Sequence, residues 1–170
     1  MSNYRFDKLR LLVVDDSQHM RKLVGAILRG FGVRDITEAP NAEYAWAKMI
    51  DCNPDVVITD WFLEGMSGID FARKVRSSES ANPLVPLIML TGYTHITRVR
   101  EARDAGFNEF LAKPVTPKAL MTRLCSVIDK PRPFVRTERY FGPCRRRRPG
   151  EGYEGPKRRT DEVAAQAQLG

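Results

Sequence analysis

Asp15-Asp16, Asp60, Thr91 and Lys113 each stand immediately after a short apolar run: Leu11 to Val14, Val56 to Thr59, Leu87 to Leu90 and Phe110 to Ala112. Carboxylates brought within a few ångströms of one another repel, so without a counter-charge at least one would keep its proton at neutral pH. A divalent cation removes that penalty. A small set of oxygen ligands that leaves room for water and a phosphoryl group suits Mg²⁺, whereas zinc would want histidine or cysteine. Neither His19 nor His95 is needed. An aspartate beside Mg²⁺, with an ammonium and a hydroxyl nearby, can accept a phosphoryl group in line, since nucleophile, metal and donors for the equatorial oxygens are all present. Singly, each residue has a plainer role: an aspartate after a strand caps a helix or sits in a solvated loop, a threonine ends a strand, a lysine adds a surface charge. Their shared position at the ends of successive elements separates the set from coincidence.

The elements that must hold them are readable from periodicity. Arg10 to Val14, Asp35 to Ala39, Val56 to Thr59, Leu87 to Thr91 and Asn108 to Ala112 are short and β-branched or aliphatic, and are expected as strands. Between them Ser17 caps a helix to about Arg29, Asn41 caps one to about Ile50, and further helices are expected over Ser67 to Arg76 and Thr94 to Ala105. Thr116 with Pro117 at the first helical position opens the last, with Leu120, Leu124, Val127 and Ile128 on one stripe. Strict alternation predicts an α/β fold, a five-stranded parallel sheet with helices on both faces. In such a sheet ligands sit beyond the carboxyl ends of the strands, which is where Asp15, Asp16, Asp60, Thr91 and Lys113 fall.

The chain has 170 residues and a net charge of +7. Up to Lys130 there are 18 basic and 16 acidic residues, and after it 10 basic and 5 acidic, so most of the excess belongs to the tail. The expected organisation is a lead of residues 1–7, a folded domain over 8–130 and a Pro/Gly/Arg-rich extension over 131–170, largely irregular and disordered alone, ordering only on a partner. Two segments of it share the pattern Tyr-x-Gly-Pro-x-Arg-Arg, beginning at Tyr140 and Tyr153. Arg145, Arg146, Arg147, Arg148, Arg158 and Arg159 are candidate contacts for an anion, whether a cyclic dinucleotide, nucleic acid or an acidic protein surface. The plainer alternative is a solvated charge run. No apolar run approaches the roughly 18 residues that a spanning helix needs, so no membrane insertion is expected. Asp15 and Asp16 interrupt any signal-peptide pattern, and Cys52, Cys125 and Cys144 form no Cys-x-x-Cys pair, which suits reduced thiols in the cytoplasm.

Over about residues 8 to 130 the chain resembles the receiver domain of bacterial response regulators, of the chemotaxis-type single-domain kind. The resemblance rests on Leu11-Leu-Val-Val-Asp-Asp-Ser, Val56-Val-Ile-Thr-Asp60, Gly65-Met-Ser-Gly68, Leu87-Ile-Met-Leu-Thr91-Gly and Phe110-Leu-Ala-Lys113-Pro114, in that order. It implies a flavodoxin-like (βα)5 fold with Asp60 as phosphoacceptor. Mg²⁺ would be bound by Asp16, the Asp60 carboxylate and the Phe62 backbone carbonyl, with Asp15 acting largely through metal-bound water. It further implies that Thr91 and Lys113 bind phosphoryl oxygens, that Lys113-Pro114 is a cis peptide, and that Phe110 turns inward when Thr91 moves. The donor would be a histidine kinase or phosphotransfer protein of a two-component phosphorelay. A downstream protein would read the face made by the fourth helix, fifth strand and fifth helix. Such a chain is a switch rather than an enzyme.

Two departures stand out. Glu64 occupies a position where the family usually has proline, and Phe62 and Tyr93, which would flank the phosphoryl site, are bulky enough to hinder hydrolytic water. A haloacid-dehalogenase-type phosphatase would also use a strand-end aspartate and Mg²⁺, but Asp60-Trp61-Phe62 lacks that family's second carboxylate. The remaining alternative is a receiver scaffold whose Arg-rich tail binds cyclic di-GMP or nucleic acid independently of phosphorylation.

Overall fold

The computed structural model describes residues 6–77, 79–92, 96–145 and 165–166, with residues 96, 97, 165 and 166 described by their backbone alone. The apolar runs form the strands β1 (Arg10–Val14), β2 (Asp35–Ala39), β3 (Val56–Asp60), β4 (Leu87–Thr91) and β5 (Glu109–Ala112). All pair in parallel, in the order β2-β1-β3-β4-β5. The crossovers are α1 (Gln18–Gly30), α2 (Ala42–Cys52), α3 (Gly68–Val75) and α4 (Ile96–Asp104), and α5 (Pro117–Asp129) closes the domain.

Local chemistry sets where four of these helices begin. The side chains of Ser17, Asn41, Ser67 and Thr116 accept from the backbone N–H of Met20, Tyr44, Asp70 and Ala119, satisfying donors that the first turn leaves over. The strands are apolar along their length because the sheet is covered on both sides, yet their side chains still alternate. Leu12, Val14, Val57, Leu87 and Met89 join Met49 of α2, Phe71 and Val75 of α3, and Ala102 of α4. Leu11, Val13, Ile58, Ile88, Leu90 and Leu111 face Val24 and Leu28 of α1 and Leu120, Leu124 and Val127 of α5. The strand order reverses between β1 and β3, so a crevice opens past their carboxyl ends.

At the opposite end of the sheet, Arg76 follows α3 and is buried. Its guanidinium donates five hydrogen bonds, to the carbonyl oxygens of Pro83 and Val85, twice to that of Gly106, and to Asn108 Oδ1. Burial pushes its pKa down to about 9. The Phe134 ring lies over it, with the guanidinium carbon 5.0 Å from the ring centroid.

Phe134 belongs to the largely irregular extension, whose described residues include short strands. Strand β6 (Phe134–Arg136) pairs antiparallel with β7 (Phe141–Pro143) and, on its other side, with β8 (Ala165–Gln166). Arg132 reaches Glu109 at 3.6 Å and Arg145 reaches Asp104 at 3.3 Å, tying this hairpin to β5 and α4. Three-residue strands escape periodicity reading, and the prolines at 133 and 143 stand where strand ends tolerate a missing donor. No helix among the described residues is long and apolar enough to cross a membrane.

Candidate functional site

Each candidate residue lies where its strand delivers it. Asp15 and Asp16 follow β1, Asp60 ends β3, Thr91 ends β4 and Lys113 follows β5. Carboxylate oxygens of Asp15, Asp16 and Asp60 lie within 4.8 Å of one another, with Asp15 and Asp60 buried and Asp16 exposed. Lys113 Nζ sits 3.3 Å from Asp15 Oδ2 and 3.1 Å from Asp60 Oδ1. The Lys113 backbone N–H donates to the Thr91 carbonyl at 2.8 Å, joining the two strand ends, and the Lys113-Pro114 peptide is cis.

Both oxygens of Asp15 are engaged, since Oδ1 accepts from the Ser17 N–H at 2.8 Å and Oδ2 from Lys113. Asp60 Oδ1 accepts from the Trp61 N–H at 2.8 Å besides facing Lys113, and Oδ2 has no hydrogen-bond partner among the described residues. Burial raises the Asp15 pKa, with the nearby Asp60 charge adding to it, and the Ser17 N–H and Lys113 only partly oppose this. For Lys113, burial pulls the pKa down, but Asp60 and Asp15 together outweigh it and hold the ammonium above its usual value.

The donor set fits Mg²⁺ on these observations. It consists of carboxylate oxygens alone, and one of them, on Asp15, is held in a desolvated place where its negative charge is unfavourable. Asp15, Asp16 and Asp60 are the residues that could hold the ion, and Asp15 is already engaged at both oxygens.

The surrounding loop is anchored at two points. The Gly68 N–H donates to the Trp61 carbonyl at 2.8 Å, and a Cβ at Gly68 would collide with the Asp60 carbonyl. The start of α3 therefore rests directly on the backbone of Asp60. The Trp61 ring is buried, with the Arg98 guanidinium carbon of α4 5.3 Å from its centroid. Phe62 is half exposed at 50%. Thr91 is buried, and Phe110 is partly buried on the α2, α3 and α4 face, its centroid 6.3 Å from that of Phe107. Tyr93, Arg146, Arg147, Arg148, Arg158 and Arg159 lie outside the described residues. Arg145 is described, but it stacks on Tyr140 at 4.1 Å and pairs with Asp104, far along the chain from the acidic cluster.

Arg21 escaped the sequence reading. From α1 its Nη1 donates to the carbonyl oxygens of both Asp15 and Asp16, at 2.6 and 3.2 Å. The only signal was a cation two turns after an acidic pair, which reads equally well as a solvated helix face.

A parallel sheet of this order with an acidic, lysine-bearing crevice at its switch point defines a class of phosphoryl-accepting signalling domains. Residues 11–125 match the response regulator receiver domain, and the chain belongs to that family. It is 41% identical over 118 residues to the chemotaxis protein CheY1 of Helicobacter pylori, a match covering 68% of this chain and 94% of that protein. The solved structure of the chemotaxis response regulator CheY4 of Vibrio cholerae matches with a TM-score of 0.65 at 30% identity, covering 71% of this chain and 98% of that one. A sensor histidine kinase receiver domain from Pseudomonas aeruginosa, solved with magnesium coordinated in its active-site cleft, matches with a TM-score of 0.65 at 26% identity over 72% and 98% of the two chains. The chain is thus a CheY-like receiver of the two-component type, with an acidic pocket compatible with Mg²⁺.

Proposed function

We propose that the chain is a phosphorylation switch in which Asp60 takes a phosphoryl group from a histidine kinase or phosphotransfer protein. The carrying observation is the buried Asp60 carboxylate, with Oδ1 held by Lys113 and the Trp61 N–H, beside two further carboxylates at one sheet edge. A carboxylate oxygen of Asp60 attacks phosphorus in line, its bond to phosphorus forming as the bond from phosphorus to the donor nitrogen breaks, and the electron pair leaves with that nitrogen. Asp16, Asp60 and the Phe62 carbonyl would hold Mg²⁺, which would supply charge neutralisation for the phosphoryl oxygens. Lys113 offers a second cation to the same oxygens, and its two carboxylate partners keep it charged. In this reading Thr91, buried at the end of β4, donates its hydroxyl to the same oxygens.

The output follows from the same strand ends. When Thr91 is drawn toward the phosphoryl group, Phe110 on the adjacent strand takes up the space released, and the surface of α4, β5 and α5 is remodelled for a downstream protein. Pro114 follows Lys113 in the loop between those elements. Free thiols at Cys52, Cys125 and Cys144 agree with a reducing compartment, and the reading places the chain in the cytoplasm. Intact-mass analysis after incubation with acetyl phosphate tests the proposal. One phosphoryl group should be gained with Mg²⁺ and none with chelator; a gain equal in both would end it.

A further inference from the structure

The acidic crevice needs more than carboxylates near one another, because their backbone must be held so that an incoming cation meets them ready. The segment from Asp15 to Ser17 is closed into a circuit. Asp15 Oδ1 accepts from the Ser17 N–H, the Ser17 carbonyl accepts from the Arg21 N–H at 3.0 Å, and the Arg21 side chain returns to the carbonyls of Asp15 and Asp16. That side chain is only 12% exposed, and its Nε lies 3.5 Å from Glu38 Oε2 on β2. Arg29, one face further along α1, holds the other oxygen of Glu38 at 3.9 Å. The guanidinium is therefore fixed on one side by the edge strand and grips two successive peptide groups with the other.

From this geometry we propose that Arg21 is a positioning residue for Mg²⁺, setting the backbone from which the Asp16 carboxylate reaches the ion and the Asp15 carboxylate lies beside it; the inference rests on the metal site proposed above. Arg21 touches neither metal nor phosphoryl group and works through the two carbonyls. A partner that orients ligands in this way commonly shifts metal affinity by about 10- to 100-fold when it is removed. Its influence through charge is small, because Glu38 offsets the guanidinium. The hydrogen bonds carry the effect, so a long side chain without donors should lose it.

The test uses the full chain and its Arg21→Met and Arg21→Gln variants, with Mg²⁺ alone titrated by calorimetry and phosphorylation by acetyl phosphate followed against Mg²⁺ concentration. Arg21→Met should bind Mg²⁺ about tenfold more weakly. Its phosphorylation rate at saturating Mg²⁺ should return to about the native value, because the acceptor and its lysine are untouched. Arg21→Gln, which keeps a donor for one carbonyl, should fall between the two and serves if Arg21→Met does not fold. Native Mg²⁺ affinity in both variants overturns the inference, and so does a rate that stays low at saturating Mg²⁺. If the native chain itself binds no Mg²⁺, the metal-site reading fails instead, and the two failures are distinguishable.

Discussion

The two ends of the sheet bury charge in opposite ways. At the base, Arg76 is out of water but donates five hydrogen bonds to four oxygen acceptors and lies under a covering aromatic ring, so every donor direction is answered. At the carboxyl end, three carboxylates cluster, two of them, Asp15 and Asp60, share Lys113, and Asp15 is held where ionisation is unfavourable. Burial alone therefore does not distinguish architecture from chemistry. A charge whose needs are met holds elements together, whereas a cluster whose needs are left partly unmet is ready to take a new partner.

Four substitutions can break or sharpen that contrast. The largest effect is expected at Asp60: Asp60→Asn should abolish phosphoryl gain altogether by intact mass, while leaving the fold stable. At the base the loss should be of stability instead. Arg76→Met leaves the carbonyls of Pro83, Val85 and Gly106 without their donors and should cost about 3 kcal/mol in urea unfolding, with phosphoryl gain per folded molecule unchanged. A loss of phosphorylation with stability intact would reverse the assignment.

Asp15→Asn should act with the opposite sign. The native-state pKa of Asp15 is raised, so its contribution to stability is present below the ordinary value of 3.8 and lost as pH rises through the raised one. Without metal at pH 7 the variant should be more stable than native by on the order of 1 kcal/mol, a gap that closes as the solution is acidified toward that ordinary value. Added Mg²⁺ should stabilise the native chain more than the variant. An unchanged gap across the pH range would show that Asp15 is not the strained group. The smallest effect belongs to the hairpin. A Cβ at Gly142 would fall 2.6 Å from Tyr140 Oη and 3.2 Å from Gly106 Cα. Gly142→Val should speed amide exchange at Thr137 and Cys144, whose N–H groups bond within the hairpin, and change global stability by less than about 0.5 kcal/mol.

How much of this was legible in advance follows from the range of the interactions. β1, β2 and β4 were read to their observed limits, and the caps Ser17, Asn41 and Thr116 were read as they stand, because apolar runs and Ser, Asn or Thr at a helix start act locally; Ser67, read as the first helical residue, is instead the cap of α3. Asp60 proved to be the last residue of β3 rather than the residue after it. The convergence of Asp15, Asp16, Asp60 and Lys113 was legible because parallel strands deliver their ends to one edge. Arg76 and Arg21 were not, since each acts across elements and an arginine on a helix reads as solvated until its acceptors are known. The hairpin of β6 and β7 was hidden for another reason: its hold on the domain comes from isolated contacts such as Arg145 with Asp104, which leave no periodic trace.

The contact of Gly68 with Asp60 has a consequence for how this protein can diverge. Because α3 is seated on the carbonyl of Asp60 and tied back to Trp61, residues 62–66 form a closed cassette held by backbone contacts at its two ends. The exposed side chains of Phe62 and Glu64 can be exchanged while Asp60 stays put, whereas Leu63 and Met66 pack against the core. Position 68 has no such freedom, since any side chain there would strike the backbone of Asp60.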